Sequence, residues 1–245
     1  MADTRPVTTV VERLRAAGCV FAEEEAALLL AAGGGELVDR RVAGEPLEQV
    51  LGWVDFCGVR VLLDPGVFVP RQRSALLVRT AAALAPRLAV DLGCGSGGLG
   101  LALRHLVPGV EVHATDLDPV AVACARRNLA HVWAGDLFDG LPGALRGRVD
   151  VVLANVPYVP TGALPDLPRE ARDHEPRLAL DGGADGLDVL RRAAAAAPDW
   201  LAAGGTLLSE VSPRQLAEAL DALEAAGLRA TSVEADDTAV VLGRG

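Results

Sequence analysis

A chain of 245 residues can form one α/β domain with a small additional piece, and its formal net charge of −10 opposes tight non-specific binding to nucleic acid. All of its basic side chains are Arg, which excludes a lysine Schiff base and a P-loop lysine. No apolar run approaches the ~20 residues that span a bilayer, and the scattered Cys residues show neither metal-site nor disulfide spacing.

The first 74 residues are predicted to form a small helical piece followed by a hairpin. Apolar residues recur at helical spacing over 8–32 and again near 36–51, with glycines 33–35 between the two patterns. The β-rich runs on both sides of Cys57-Gly58 indicate a hairpin, and Pro65-Gly66 indicates a turn after it. We therefore assign residues 1–52 to the helical piece and 53–74 to a β-hairpin linker. The N-terminus shows no secretory signal, so we expect a cytoplasmic protein, and we expect a monomer.

From residue 75 to residue 245, apolar β-branched runs alternate with helical patterns, which is typical of a parallel sheet covered by helices on both faces. The last two strands are joined by a short polar connection, Glu234 to Asp237, so this pair is expected to be antiparallel. The sequence predicts an α/β, Rossmann-like, seven-stranded and mostly parallel sheet with its last strand antiparallel. The strands are expected near 87–92, 110–115, 131–135, 149–154, 204–211, 227–233 and 238–243.

A glycine-rich turn over 89–103 (AVDLGCGSGGLGLAL) follows the first of these strands and precedes a helix. Gly93, Gly95 and Gly97 would let the backbone approach a ligand closely at the carboxyl end of the sheet. The same turn also fits the dinucleotide pattern G-x-G-x-x-G, and its Ser96 lies where a nucleophile elbow would place a serine. The elbow is disfavoured because Cys94 occupies the position of its first glycine.

Acidic residues end the next two strands. Asp116 can accept hydrogen bonds from two ribose hydroxyls, which a nicotinamide cofactor and S-adenosylmethionine both carry. The alternative is that Asp116 and Asp118 only cap the following helix, and Asp118 is the better candidate for capping. Asp136 can accept the amino group of an adenine, and Leu137 can pack on its ring. These residues predict an adenosine site and leave the reaction open.

The fourth strand runs into Asn155-Val156-Pro157-Tyr158, which indicates methyl transfer to nitrogen. An NH2 group donates hydrogen bonds, so a site that holds it must offer acceptors such as the Asn155 side-chain oxygen and the Val156 carbonyl. Accepting both hydrogens stabilises the positive charge that grows on nitrogen as it takes a methyl group. Tyr158 could provide an aromatic wall that keeps the planar group flat.

Five segments, in this order, resemble the HemK-type protein-(glutamine-N5) methyltransferases that act on peptide-chain release factors: DLGCGSGG, DLDPVAVACARRNL, GDLF, NVPYVP and EPRLALDGGADGLDVLRR. The resemblance implies a class I methyltransferase fold with S-adenosyl-L-methionine as cofactor and S-adenosyl-L-homocysteine as product. It also implies a protein substrate, with the Gly-Gly-Gln loop of a release factor as first candidate, and a recognition role for residues 1–52. No metal is implied.

The resemblance implies roles for specific residues of the site. The catalytic candidates are Asn155, Val156, Pro157 and Tyr158, and Arg71 is a candidate contact for substrate or cofactor. The stretch GVFVPRQRSALLV would line the mouth of the site. The implied cofactor contacts are Asp91, Gly93, Cys94, Gly95, Ser96, Gly97, Asp116, Leu117, Asp136, Leu137 and Asn155.

Three departures from the family pattern bear on the substrate. Val156 replaces the first proline of the usual Asn-Pro-Pro-Tyr, the helical piece is short, and residues 72–75 (Gln-Arg-Ser-Ala) stand where the family often has Pro-Glu-Thr-Glu. The alternatives are an N-methyltransferase of a small molecule or nucleobase, a cofactor-binding protein without turnover, and a nicotinamide enzyme. The long segment 156–184 is expected to be an active-site lid without clear elements of its own.

Overall fold

The computed structural model describes residues 7–235 and 237–245. Its N-terminal part consists of four short helices. Their apolar faces form a separate small core around the fully buried Leu14 and Leu29. The helical pattern over 8–32 is divided into two helices near Gly18, whose φ of 92° lies in the left-handed region. The first six residues of the predicted helical piece lie outside the described residues. The helices are α1 (Val7–Ala16), α2 (Ala22–Ala31), α3 (Glu36–Val42) and α4 (Leu47–Leu51).

The predicted hairpin is formed by β1 (Trp53–Phe56) and β2 (Val59–Leu62), which pair antiparallel. Its two turn residues, Cys57 and Gly58, have φ angles of 48° and 82°. Two consecutive left-handed residues match the right-handed twist of a two-residue hairpin. After the hairpin, a 3-10 helix (Gln72–Ser74) leads directly into α5 (Ala75–Ala83).

A seven-stranded sheet forms the body of the protein, in the spatial order β5-β4-β3-β6-β7-β9-β8. All pairs from β5 to β7 are parallel, and the last strand, β9, runs antiparallel to both of its neighbours, as predicted. The strands are β3 (Leu88–Leu92), β4 (Glu111–Asp116), β5 (His131–Ala134), β6 (Val149–Ala154), β7 (Leu201–Val211), β8 (Arg229–Ala235) and β9 (Thr238–Arg244). The helices between them are α6 (Gly98–Leu106), α7 (Pro119–Ala125), α8 (Arg169–His174), α9 (Asp188–Ala196) and α10 (Leu216–Ala225).

Helices cover both faces of this sheet, so the central strands are apolar at nearly every position. Ala89 packs in a core with residues of α5, α6 and α7, and its neighbour Val90 packs in a second core with residues of α9 and α10. Successive side chains of a strand point to opposite faces, which explains how one continuous apolar run serves two cores. Among the described residues, no helix is long and apolar enough to cross a membrane.

The segment 156–184 contains more structure than the sequence indicated. It holds two 3-10 helices, Thr161–Asp166 and Arg177–Ala179, with α8 between them, and Val159 forms a β-bridge to Asp181 near its end. The expectation of a segment without clear elements was therefore wrong. Each of these three helical pieces follows a proline in extended conformation, at Pro160, Pro168 and Pro176.

Asn128 ties the hairpin to the glycine-rich turn, and this generates a stability prediction. Its Oδ1 accepts from the Leu62 amide at 2.9 Å, and its Nδ2 donates to the carbonyls of Leu62 and Ser96, each at 2.8 Å. Asn128→Ala leaves the Leu62 amide and the Ser96 carbonyl without this partner and leaves the Leu62 carbonyl only its contact with Cys124 Sγ, so the free energy of unfolding should fall by about 2–3 kcal/mol in urea titrations. Gln72→Ala removes an exposed hydrogen bond to the Asp55 carbonyl and serves as control, with an expected change below about 0.5 kcal/mol.

Candidate active site

The cleft of the protein lies where the strand order reverses. The chain places β4 and β5 on one side of β3 and β6 on the other, so the carboxyl ends of four parallel strands meet at one edge. In open α/β sheets this edge is where ligands bind. A cleft that is open to solvent occupies the position. Its lining includes residues at the ends of all four strands, namely Gly93, Cys94, Gly95, Ser96, Asp116, Leu117, Asp118, Gly135, Asp136, Leu137, Asn155, Val156 and Pro157.

The glycine-rich turn forms the floor of the cleft. Gly93 and Gly95 line it with φ angles of 61° and 55°, a conformation that favours glycine. Gly97 has a φ of 76° but does not line the cleft, and a Cβ there would lie 2.9 Å from Leu129 Cδ1. The Ser96 hydroxyl is buried at the cleft and has no hydrogen-bond partner among the described residues. A bound polar group can satisfy that hydroxyl, which fits a ligand site.

Asp116 connects the first two strand ends. Its Oδ2 accepts from the Gly95 amide at 2.8 Å, and its Oδ1 accepts from the Asp118 amide at 2.9 Å. A carboxylate has about four lone-pair sites, so two remain for hydroxyl groups of a ligand. Burial raises the pKa of Asp116. The capping role predicted for Asp118 is confirmed, because its side chain accepts from the Val120 amide at the start of α7.

Asp136 and Leu137 follow the end of β5, and both line the cleft. Leu137 has a φ of 51°, which is uncommon for a residue with a branched side chain and marks local strain at the site. Asp136 Oδ2 accepts from Arg192 Nη2 of α9 at 2.6 Å. Arg192 also lines the cleft and was missed in the sequence, where only a helical pattern marked its position.

The tetrapeptide Asn155–Tyr158, which indicated methyl transfer, follows the end of β6. Asn155 lines the cleft, and its Nδ2 donates to the Ser74 hydroxyl at 3.2 Å. Val156 is 3% exposed, and its Cγ1 lies 3.7 Å from the position that a Cβ on Gly93 would take. The Val156 side chain therefore packs on the glycine-rich turn at Gly93. The tetrapeptide joins the floor of the cleft to the segment that follows.

Tyr158 points away from the cleft lining and into a polar cluster. Its hydroxyl accepts from Arg73 Nη2 at 2.8 Å and donates to Glu210 Oε1 at 3.0 Å. Burial, followed by the negative charge of Glu210, raises the pKa of Tyr158 to about 12. Gln215 Nε2 donates to the Tyr158 carbonyl at 2.8 Å. The aromatic wall expected of this residue stays a prediction, whereas its hydroxyl is fully engaged.

Two more of the candidate residues lie outside the lining. Asp91 is 1% exposed, and its Oδ2 accepts from the Gly100 amide at 2.9 Å. Arg71 forms a charge-assisted pair with Glu175, with Nη2 at 2.7 Å from both carboxylate oxygens. Glu175 also accepts from the Val69 amide at 3.1 Å. Arg71 thus fixes the segment 156–184 against the stretch before α5.

The remaining residues that line the cleft were not predicted individually from the sequence. The stretch around 67–70 and the stretch around 176–181 both line the cleft, and both belong to sequences that carried the family resemblance. The sequence located these segments without distinguishing the individual side chains. The additional lining residues are Val67, Phe68, Pro70, Leu99, Ala121, Pro176, Leu178, Ala179, Asp181 and Val189.

Buried Asp91 generates a pH prediction. Burial raises its pKa from 3.8 to about 7, so the native state holds this proton more tightly than the unfolded chain does. Between about pH 4 and pH 7 only the unfolded chain is ionised here, and this group therefore lowers the free energy of unfolding as the pH rises. Asp91→Asn should show a smaller decrease across this window in urea titrations. Equal pH dependence of the two proteins would contradict the assignment.

Comparison with known proteins agrees with this geometry. Residues 58–165, which hold the glycine-rich turn and the Asn155–Tyr158 tetrapeptide, match the family described as Methyltransferase small domain. The solved structure of a methyltransferase from Pyrococcus furiosus has a TM-score of 0.59 at 16% identity, covering 76% of this chain and 89% of that chain. This likeness shows the fold.

Three curated relatives are similar to this chain, and the one from Moorella thermoacetica shows the family. A release factor glutamine methyltransferase of Geobacter sulfurreducens is 39% identical over 71% of this chain, which spans only 63% of that relative's length. One of Moorella thermoacetica is 38% identical over 78% of this chain and 71% of its own length. A 4-amino-L-phenylalanine/4-methylamino-L-phenylalanine methyltransferase of Streptomyces pristinaespiralis is 39% identical over 74% of this chain and 65% of its own length. The protein is an S-adenosylmethionine-dependent methyltransferase, and it belongs to the release factor glutamine methyltransferase family.

Proposed function

We propose that this enzyme methylates the side-chain amide nitrogen of a protein glutamine, with the Gly-Gly-Gln loop of a peptide-chain release factor as first candidate. The observation that carries the proposal is the position of Asn155 at the cleft. Its Nδ2 is bound to Ser74, and among the described residues no hydrogen bond engages its Oδ1. A release-factor substrate would place the enzyme in the cytoplasm.

The acceptor chemistry follows from hydrogen bonding. When bound, S-adenosylmethionine supplies an electrophilic methyl group on a sulfonium. Asn155 Oδ1 and the Val156 carbonyl can accept the two hydrogens of an amide NH2 and aim its nitrogen at that methyl group. The positive charge that develops on nitrogen strengthens both hydrogen bonds, so these acceptors stabilise the transition state more than the ground state. The extra proton then leaves the nitrogen for solvent, and no strong base is required beforehand.

The cofactor would lie between the glycine-rich turn and the ends of β4 and β5. Asp116 has acceptor capacity left for two ribose hydroxyls, and the unsatisfied Ser96 hydroxyl and the backbone at Gly93 and Gly95 can meet its polar groups. Leu137 provides an apolar surface for the adenine. These contacts are consistent with an adenosine-containing methyl donor.

A second candidate acceptor is a small aromatic amine. The Streptomyces pristinaespiralis relative, whose name gives 4-amino-L-phenylalanine as substrate, is as similar to this chain as the Geobacter sulfurreducens relative. Val156 and Arg73 stand where the family often has proline and glutamate. An aromatic amine also presents an NH2 group to Asn155, so the same acceptors would serve it.

The deciding experiment offers both acceptors to the purified enzyme with methyl-labelled cofactor. The release factor is tested beside a copy whose Gly-Gly-Gln glutamine is changed to alanine, and 4-amino-L-phenylalanine is tested separately. Label in the intact release factor alone would support the proposal. Label in the small molecule alone would overturn it in favour of the second candidate, and equal label in both release-factor copies would show that the acceptor is a residue other than this glutamine.

Asp116 is expected to act on cofactor affinity. Asp116→Ala removes the acceptors for the ribose and releases the Gly95 amide, so the Kd for S-adenosylhomocysteine should rise by about 100-fold in calorimetric titrations. Glu111→Ala is the matched control, because it removes one carboxylate from the opposite, exposed end of the same strand. A similar loss of affinity in both variants would mean that Asp116 acts only through net charge.

Asn155 is expected to act on the transfer step. Asn155→Ala should lower kcat by about 100- to 1000-fold, because one of the two acceptors for the NH2 group is lost. The Kd for S-adenosylhomocysteine should change far less, because the ribose contacts remain. Val156→Pro is the comparison variant: it keeps the backbone carbonyl and restores the usual family residue, so transfer should persist. A large loss of cofactor affinity in Asn155→Ala would contradict this division of roles.

A further inference from the structure

The short 3-10 helix Gln72–Ser74 holds the acceptor tetrapeptide at both ends. Ser74 is completely buried, and its hydroxyl accepts from Asn155 Nδ2 at 3.2 Å. The preceding residue, Arg73, donates to the Tyr158 hydroxyl at 2.8 Å and to the buried Glu210 at 3.2 Å. Two neighbouring side chains therefore contact the first and the last residue of the tetrapeptide Asn155–Tyr158. These two residues also stand in the stretch that departs from the family pattern.

The orientation of the Asn155 carboxamide decides what the cleft offers to a substrate. One end of this group is a double donor and the other is an acceptor, so a half-turn about its last torsion exchanges the two. With Nδ2 on Ser74, the acceptor end is left for the cleft. In the opposite orientation the NH2 group of Asn155 would face the NH2 group of the substrate, donor against donor. Only the first orientation supports the chemistry proposed above.

Ser74 provides the contact that holds the carboxamide in place, and in this structure its hydroxyl accepts from Nδ2. In the described part of the chain, no other hydrogen bond engages the side chain of Asn155. Ser74 is itself placed by its backbone, because its amide donates to the Arg71 carbonyl at 2.9 Å within the 3-10 helix. The hydroxyl is shielded from solvent, so water cannot readily replace it at this position.

We propose that Ser74 is a positioning residue of the acceptor site, which holds the Asn155 carboxamide in place so that its oxygen can accept from the substrate nitrogen. The proposal rests on the proposed methylation of an NH2 group. It assigns a role in the transfer step to a residue that lies outside the cleft lining. Ser74 affects the reaction through Asn155 and touches neither substrate nor cofactor.

The kinetic test is a double-mutant cycle. Ser74→Ala should lower kcat by about 10- to 100-fold with little change in the Kd for S-adenosylhomocysteine. Ser74→Thr keeps the hydroxyl and should restore most of the rate. In the Asn155→Ala background, adding Ser74→Ala should cause no further loss, because the side chain on which Ser74 acts is gone. Full additivity of the two substitutions would overturn the proposal.

Thr80→Ala is the matched control for loss of a hydroxyl. Thr80 lies further along the same segment, in α5, and its hydroxyl donates to the Leu76 carbonyl at 2.8 Å without contact to Asn155. Its kcat should equal that of the wild type. If Thr80→Ala lowers kcat as much as Ser74→Ala does, the effect is a general loss of helix packing and the proposal fails.

A second measurement is independent of turnover and of the identity of the acceptor. In the complex with S-adenosylhomocysteine, the side-chain NH2 resonances of Asn155 are assigned by their absence in Asn155→Ala. Solvent exchange of these protons should be slower in the wild type and in Ser74→Thr than in Ser74→Ala. Equal exchange in all three proteins would overturn the role of Ser74. Absence of methyl transfer by the wild type would instead count against the proposed function, and the exchange result would still decide whether Ser74 holds the carboxamide.

Discussion

The parallel pairing of β3 with both β4 and β6 is the constraint on which the rest of the structure depends. It brings the ends of four strands to one edge, although the residues that follow them are separated by up to about sixty positions in the chain. Because the strand order reverses at β3, the connections leave in opposite directions and open a cleft between them. Gly93 and Asp116, which are proposed to contact the cofactor, and Asn155, which is proposed to bind the acceptor, therefore line the same cleft.

Buried carboxylates maintain the backbone at this edge. Asp91 and Asp116 accept amide hydrogens on the two sides of the glycine-rich turn, at Gly100 and Gly95. Burial raises the pKa of both, which shows that the charged forms are disfavoured where they lie. The protein thus gives up stability to hold a backbone that binds a ligand closely. Such a cost is typical of sites whose geometry serves function before stability.

The segment 156–184 is held over the cleft by ion pairs from two other parts of the chain. Arg71 binds the fully buried carboxylate of Glu175, and Arg41 of α3 binds both Glu25 of α2 and Glu170 of α8. Removal of Arg71 would leave the buried carboxylate of Glu175 without its ion-pair partner, whereas the pair of Arg41 with Glu170 is half-exposed on the Glu170 side. The N-terminal helices therefore help to anchor the segment 156–184, through the ion pair of Arg41 with Glu170. A substrate that contacts these helices would meet the same anchored segment.

The sequence by itself determined the seven strands with their reversed last member, the hairpin and the cap at Asp118, and it predicted an acceptor pair at Asn155 and Val156. These follow from local rules, because periodicity, turn residues and donor–acceptor complementarity act over a few residues. Only the tertiary structure decided which side chains meet. It sent the hydroxyl of Tyr158 to Arg73 and Glu210, moved Arg71 to Glu175, and brought Ser74 to Asn155 across 81 positions of the chain. Such contacts depend on the register and packing of distant segments, which no local pattern encodes.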